Sequence, residues 1–177
     1  MVRYMVLHFS YTFLLRPAAI SALCLTLLSG CVRQPNIQGR GDARLQGVWQ
    51  QDSIPYREQL NSFTEHRLKF TCDSFYVDLT THSKVNYYEA ECYNQGIWKE
   101  YAKGNYAVRG DTLFLAGTFT KANYKQKVSG CYRTGRYTEG FLIRKATATL
   151  LVLESLNDHR ESAMALKEKI DCVPKPL

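Results

Sequence analysis

Hydrophobic and polar residues alternate through most of this chain, and the alternation comes in short, regularly spaced runs. In 66–72 the apolar set is Leu68, Phe70 and Cys72, and in 75–79 it is Phe75, Val77 and Leu79. A period of two places each set on one face of a strand, and the intervening Asp73-Ser74 reads as a turn. Further strands are expected at 45–50, 84–91, 98–108, 112–119, 126–133, 137–145 and 147–154. Arg109-Gly110-Asp111 separates two of these runs and reads as a hairpin turn, with Gly110 supplying a positive φ. Eight or nine short strands with turn signals between them predict an all-β fold, a small antiparallel barrel or else a β-sandwich. The pattern changes at the end. Asp158, with Glu161 three residues on, resembles a helix start, and Ala163, Leu166 and Ile170 share one helical face, so a C-terminal helix is expected over 158–171. Pro174 and Pro176 forbid its continuation.

The first 30 residues follow a different logic. They contain Arg3, Arg16 and no acid, and an apolar run of 12 residues spans 17–28. That length suits a secretory signal and falls short of a spanning helix. Leu28-Ser29-Gly30-Cys31 resembles the bacterial lipobox. The resemblance implies cleavage before Cys31, acylation of Cys31, and a mature chain held on a lipid bilayer by more than one acyl chain, which anchors stably. Val32 lacks the acidic signature of inner-membrane retention, so the address implied is the bacterial outer membrane. The expected organisation is a signal at 1–30, a lipidated tether at 31–44 and one barrel domain at 45–177.

Export reorganises the composition. The whole chain has 177 residues, six cysteines and a formal charge of +7, and loss of Arg3 and Arg16 leaves +5. With Cys24 removed and Cys31 lipidated, Cys72, Cys92, Cys131 and Cys172 remain. Four cysteines in an oxidising compartment suggest two disulfides, in any of three pairings. Gaps of roughly 20 and 40 residues do not match the close pairs of a zinc site, so no metal is expected.

Gly47-x-Trp49 on the first strand, followed by about eight strands, is similar to the lipocalin and wider calycin plan. The resemblance implies a ligand-holding barrel whose Trp49 closes one end beneath a late-strand arginine, for which Arg144 is the candidate. The aromatic-rich stretch 87–106 adds Tyr87, Trp98, Tyr101 and Tyr106 as candidate ligand contacts, because tyrosine offers both a ring and a hydroxyl. No Gly-x-Ser-x-Gly, His-Glu-x-x-His or phosphate-binding glycine motif occurs, and the carboxylates are scattered, so no catalytic residue and no cofactor are expected. His82 reads as a solvated loop residue.

Seven bases and one acid fall between Lys121 and Lys145. Interleaved with tyrosines they resemble a nucleic-acid surface, but export argues against nucleic acid as a partner. The expected function is therefore binding of a small hydrophobic or amphipathic ligand in a barrel cavity. The alternative is an envelope interaction module that takes a protein, an acidic glycan or lipid headgroups on a basic face. An interior cavity of about 300 Å3 or more separates the two.

Overall fold

A computed structural model describes residues 37–176; the signal and Cys31 lie outside the described residues. Eight antiparallel strands run in sequence order and close on themselves as one barrel. They are β1 (Gly47–Gln51), β2 (Ser62–Thr71), β3 (Ser74–Ser83), β4 (Ile97–Arg109), β5 (Thr112–Thr120), β6 (Arg136–Ala146), β7 (Leu150–Ser155) and β8 (Glu161–Lys169). A single helical turn, α1 (Ala90–Tyr93), interrupts the β3–β4 connection. Closure removes the sheet edges, so strand backbones have a neighbour on both sides. The barrel, rather than the sandwich, is the architecture.

The expected C-terminal helix is corrected. Residues 161–169 form β8, which pairs with β7 through Leu151–Met164 and with β1 through Gln51–Met164. Ser162, Met164 and Leu166 are its inward set; the helical spacing of Ala163, Leu166 and Ile170 is incidental. Without β8, both β1 and β7 would expose an unpaired edge, and that tertiary demand outweighs the helix propensity of Ala, Lys and Glu. Two expected strands are also absent. Residues 84–91 lie in the β3–β4 connection, which includes α1, and 126–133 lie in the β5–β6 connection. His82 belongs to β3, where its ring stacks on Phe63 at 4.8 Å.

The inward residues of β1–β8 make one core. Trp49, Leu68, Phe75, Val77, Leu113 and Leu153 are essentially inaccessible within it. Gly104 and Gly117 face each other across β4 and β5, and a Cβ on either would strike backbone oxygen at 2.0–2.1 Å. Phe75 pairs with Gly104, and Tyr137 with Gly117. The two rings, 5.7 Å apart, therefore occupy the space that the glycines leave. Gly47, at φ +147°, has Leu166 Cδ1 and Glu168 O where a Cβ would sit, which explains glycine two residues before Trp49.

One end of the barrel is sealed. Leu45 and Gln46 are buried there. Gln46 Nε2 donates to Cys72 O at 2.9 Å and to Tyr106 Oη at 2.8 Å, while Cys72 N–H donates to Gln46 Oε1 at 2.7 Å. Trp49 Nε1 donates to Leu45 O at 2.7 Å. Cys72 sits in the two-residue turn between β2 and β3 and is bonded to Cys172. Part of the expected tether packs here too, with Gln38 Nε2 donating to Ser74 Oγ at 2.7 Å. Arg109 pairs with Thr112 across the Gly110-Asp111 turn, at φ +59° for Gly110, as the sequence reading expects.

Candidate functional site

The opposite end is open. β1, β3, β5 and β7 finish there and β2, β4, β6 and β8 begin there, so the mouth is ringed by four connections. Two of them make a partial lid. The β3–β4 and β5–β6 connections are joined by the Cys92–Cys131 disulfide, and Tyr132 Oη donates to Cys92 O at 2.7 Å. From this staple Tyr88 and Tyr132 reach Trp98 on β4. Tyr132 stacks on the indole at 5.7 Å and Tyr88 meets it edge-on at 5.2 Å. Such aromatic contacts each contribute about 0.5–1.5 kcal/mol beyond area burial.

Arg133, the next residue, crosses from the lid to an inward acid. Glu100 pairs with Leu79 across β3, which sets its side chain on the interior face, and it is only 4% exposed. Arg133 Nε and Nη2 fork onto the two carboxylate oxygens at 3.0 and 2.9 Å, and Arg133 N–H donates to Oε1 at 3.0 Å. The guanidinium also lies 4.8 Å from the Phe119 ring centre. The Glu100 carboxylate beside it holds the Arg133 guanidinium above its ordinary pKa.

Beside the lid, on the β1–β2 and β7–β8 side, a pocket of about 790 Å3 enters the barrel. Leu79, Tyr137 and Phe141 line its inner walls, and Ile54, Leu60 and Phe63 contribute apolar surface toward the rim. Polar groups are set among them. His66 Nδ1 lies 3.2 Å from Gln51 Oε1, which also accepts the His66 backbone N–H at 3.2 Å. Burial lowers the His66 pKa below 6.5, with a smaller opposing contribution from the Thr64 backbone, so the imidazole is neutral at pH 7. Glu139 stands between Tyr137 and Phe141 on β6 and faces inward opposite Leu115. Burial raises its carboxyl above the usual range, against smaller lowering effects of the Arg133 charge and of a hydrogen bond from Asn157 Nδ2 to Oε2 at 3.0 Å.

The sequence-expected ligand contacts lie elsewhere. Trp49 and Tyr106 are buried toward the sealed end, and burial pushes the Tyr106 hydroxyl up to about 12. Tyr87 is 62% exposed in the β3–β4 connection. Tyr101 is on the outer face, edge-on to Tyr124 at 6.2 Å. Trp98 is in the lid cluster. Arg144 does not cap Trp49; it turns outward and its Nε donates to Glu154 Oε2 at 2.6 Å. None of these six lines the pocket.

What sequence reasoning missed are the polar residues at inward positions: His66, two before Leu68; Glu100, between Trp98 and Ala102; and Glu139, between Tyr137 and Phe141. A polar residue on the apolar phase of an alternating strand was the available signal. The four cysteines are paired as Cys72–Cys172 and Cys92–Cys131. Among the described residues no three His, Cys, Asp or Glu side chains gather as a metal cluster, and no helix is long and apolar enough to cross a membrane.

Comparison with protein-family models, with curated proteins and with solved structures matches nothing to this chain.

Proposed function

We propose that this chain is a lipid-anchored bacterial envelope protein that binds a small amphipathic molecule in the open mouth of its barrel. The observation that carries the reading is the pocket: about 790 Å3, walled by inward side chains of the barrel and bounded by a stapled lid. That volume falls within the roughly 300–1,000 Å3 of small-molecule sites. Apolar walls would supply affinity at about 25 cal/mol per Å2 of surface removed from water. The inward polar groups would orient a polar head. No catalytic step is assigned to them.

The alternative, a basic docking face, has less to support it. Of the seven bases between Lys121 and Lys145, Arg133 is forked onto Glu100, Arg144 is paired with Glu154, and Lys127 donates to the carbonyls of Cys131 and Arg133. The charge run in sequence is therefore not a continuous free surface.

Two experiments test the reading. Fluorescence titration of the full chain with N-phenyl-1-naphthylamine should give saturable one-to-one binding. Ser162→Trp, which fills the pocket from β8, should weaken that binding at least tenfold; unchanged affinity would overturn the site. Cys31→Ser should move the protein from the membrane to the soluble fraction of a bacterial host, and continued membrane retention would overturn the anchor.

A further inference from the structure

Charge pairing inside the mouth narrows the class of ligand. The ionisable groups lining the pocket, apart from neutral His66, are Arg133, Arg160, Glu139, Asp158 and Glu161. Both bases are committed. Arg133 is forked onto Glu100, and Arg160 Nε lies 3.0 Å from Asp158 Oδ2. Glu139 and Glu161 have no basic partner within ion-pair distance among the described residues. A protein with an excess of Lys and Arg overall thus presents a pocket whose unpaired charge is negative.

Of the two, Glu139 is the one inside. Its neighbours two residues away on the same face of β6 are Tyr137 and Phe141, so the carboxylate is flanked by aromatic side chains. Asn157 satisfies Oε2 and leaves Oε1 without a hydrogen bond. Burial raises the carboxyl pKa against a smaller lowering by the nearby Arg133 charge, and no base comes within ion-pair distance of it among the described residues. Glu139 is partly buried, so a cation brought to it by a ligand pairs with it where water screens the attraction less than at an exposed site. Carboxylate and aromatic faces together form the usual setting for an ammonium group, which is attracted to both.

We propose that the mouth selects amphiphiles with a cationic head, an alkylamine or alkyl quaternary ammonium, whose head sits on Glu139 and whose chain lies against Leu79, Phe141 and the rim. The inference rests on the ligand-binding reading above and specifies its chemistry. It also assigns the polar contact to an acid, where the sequence pointed to tyrosine hydroxyls.

The test uses three probes of equal chain length below their micellar concentrations: dodecyltrimethylammonium, dodecyl sulfate and uncharged dodecyl octaethylene glycol. Calorimetric titration of the full chain should rank the ammonium first, at least tenfold tighter than the sulfate. Glu139→Gln keeps the shape and removes the charge. It should reduce the ammonium-to-neutral affinity ratio about tenfold while neutral binding stays within twofold. Glu161→Gln, at the rim, should change that ratio less than threefold. Preference for the sulfate, or an unchanged ratio in Glu139→Gln, overturns the cationic-head inference and leaves the ligand-binding reading standing. Failure of all three probes to bind overturns both. The wild-type ranking decides even if the variant folds poorly, and an unchanged thermal midpoint identifies a variant that folds.

Discussion

At the sealed end, the Gln46 carboxamide meets the Cys72 backbone and the Tyr106 hydroxyl, so buried polar groups find partners within the protein. At the mouth, the buried Trp98 Nε1 and Thr120 Oγ1 have none among the described residues, and Glu139 keeps one oxygen unpaired. Each end carries one disulfide and several inward polar side chains; what differs is whether those side chains are satisfied. A buried donor or acceptor left unmade costs about 1–3 kcal/mol. The two ends therefore differ in how completely their inward polar groups are paired within the protein.

The largest effect should come from cutting the sealed end. Cys72→Ser with Cys172→Ser releases a loop of 100 residues and should lower unfolding free energy by about 4 kcal/mol in urea denaturation. Removing the Cys92–Cys131 staple opens a separation of only 39 residues and should cost somewhat less, about 3–4 kcal/mol. It should also free Tyr88 and Tyr132 from Trp98 and shift tryptophan emission to the red, which the sealed-end pair should not do before global unfolding.

Gln46→Leu follows, with an expected loss of about 3 kcal/mol, because Cys72 N–H and Tyr106 Oη lose their partner together. A loss below about 1 kcal/mol would show that the sealed end does not depend on that carboxamide. At the mouth, Arg133→Met strips the buried Glu100 of its fork. With the guanidinium about half exposed, 49% by side-chain area, the cost should be about 1–2 kcal/mol rather than that of a fully buried pair.

The smallest effect is a pH slope. His66 has a folded pKa depressed below 6.5, so below pH 6.5 the unfolded chain takes up the proton more readily than the fold does. The contribution of neutral His66 is complete above pH 6.5 and is lost as pH falls toward the folded pKa. His66→Gln should flatten that part of the stability curve, measured by thermal unfolding between pH 7 and 5. An unaltered slope would place the acid sensitivity at another group.

Much of the barrel was legible in the sequence because its lower interior obeys a simple rule. Phe75, Val77 and Leu79 alternate with polar residues, and the structure buries all three. The closing strand was not legible. The inward set of β8 begins with Ser162, a polar pocket residue, which erased one apolar position and left Ala163, Leu166 and Ile170 to imitate a helix. The pocket escaped notice for the same reason. Its inner wall includes His66 and Glu139 at positions where a filled barrel would carry aliphatic residues, whereas the conspicuous aromatics between 87 and 106 are divided among the lid, the outer face and the sealed end. Cysteine pairing depends on which loops share an end of the barrel, and spacing along the chain does not carry that information.

Ile37 bridges to Pro176, and Gln38 N–H donates to Lys175 O at 2.8 Å beside the β2–β3 turn. Entry and exit of the barrel chain are thus neighbours, on the side remote from the pocket. Residues 37 and 176, the two ends of the described chain, therefore meet beside the β2–β3 turn at the sealed end. The same adjacency makes the ring of strands indifferent to where it is cut. A short linker joining 176 to 37, with new ends placed in the β1–β2 connection, should preserve every strand pairing.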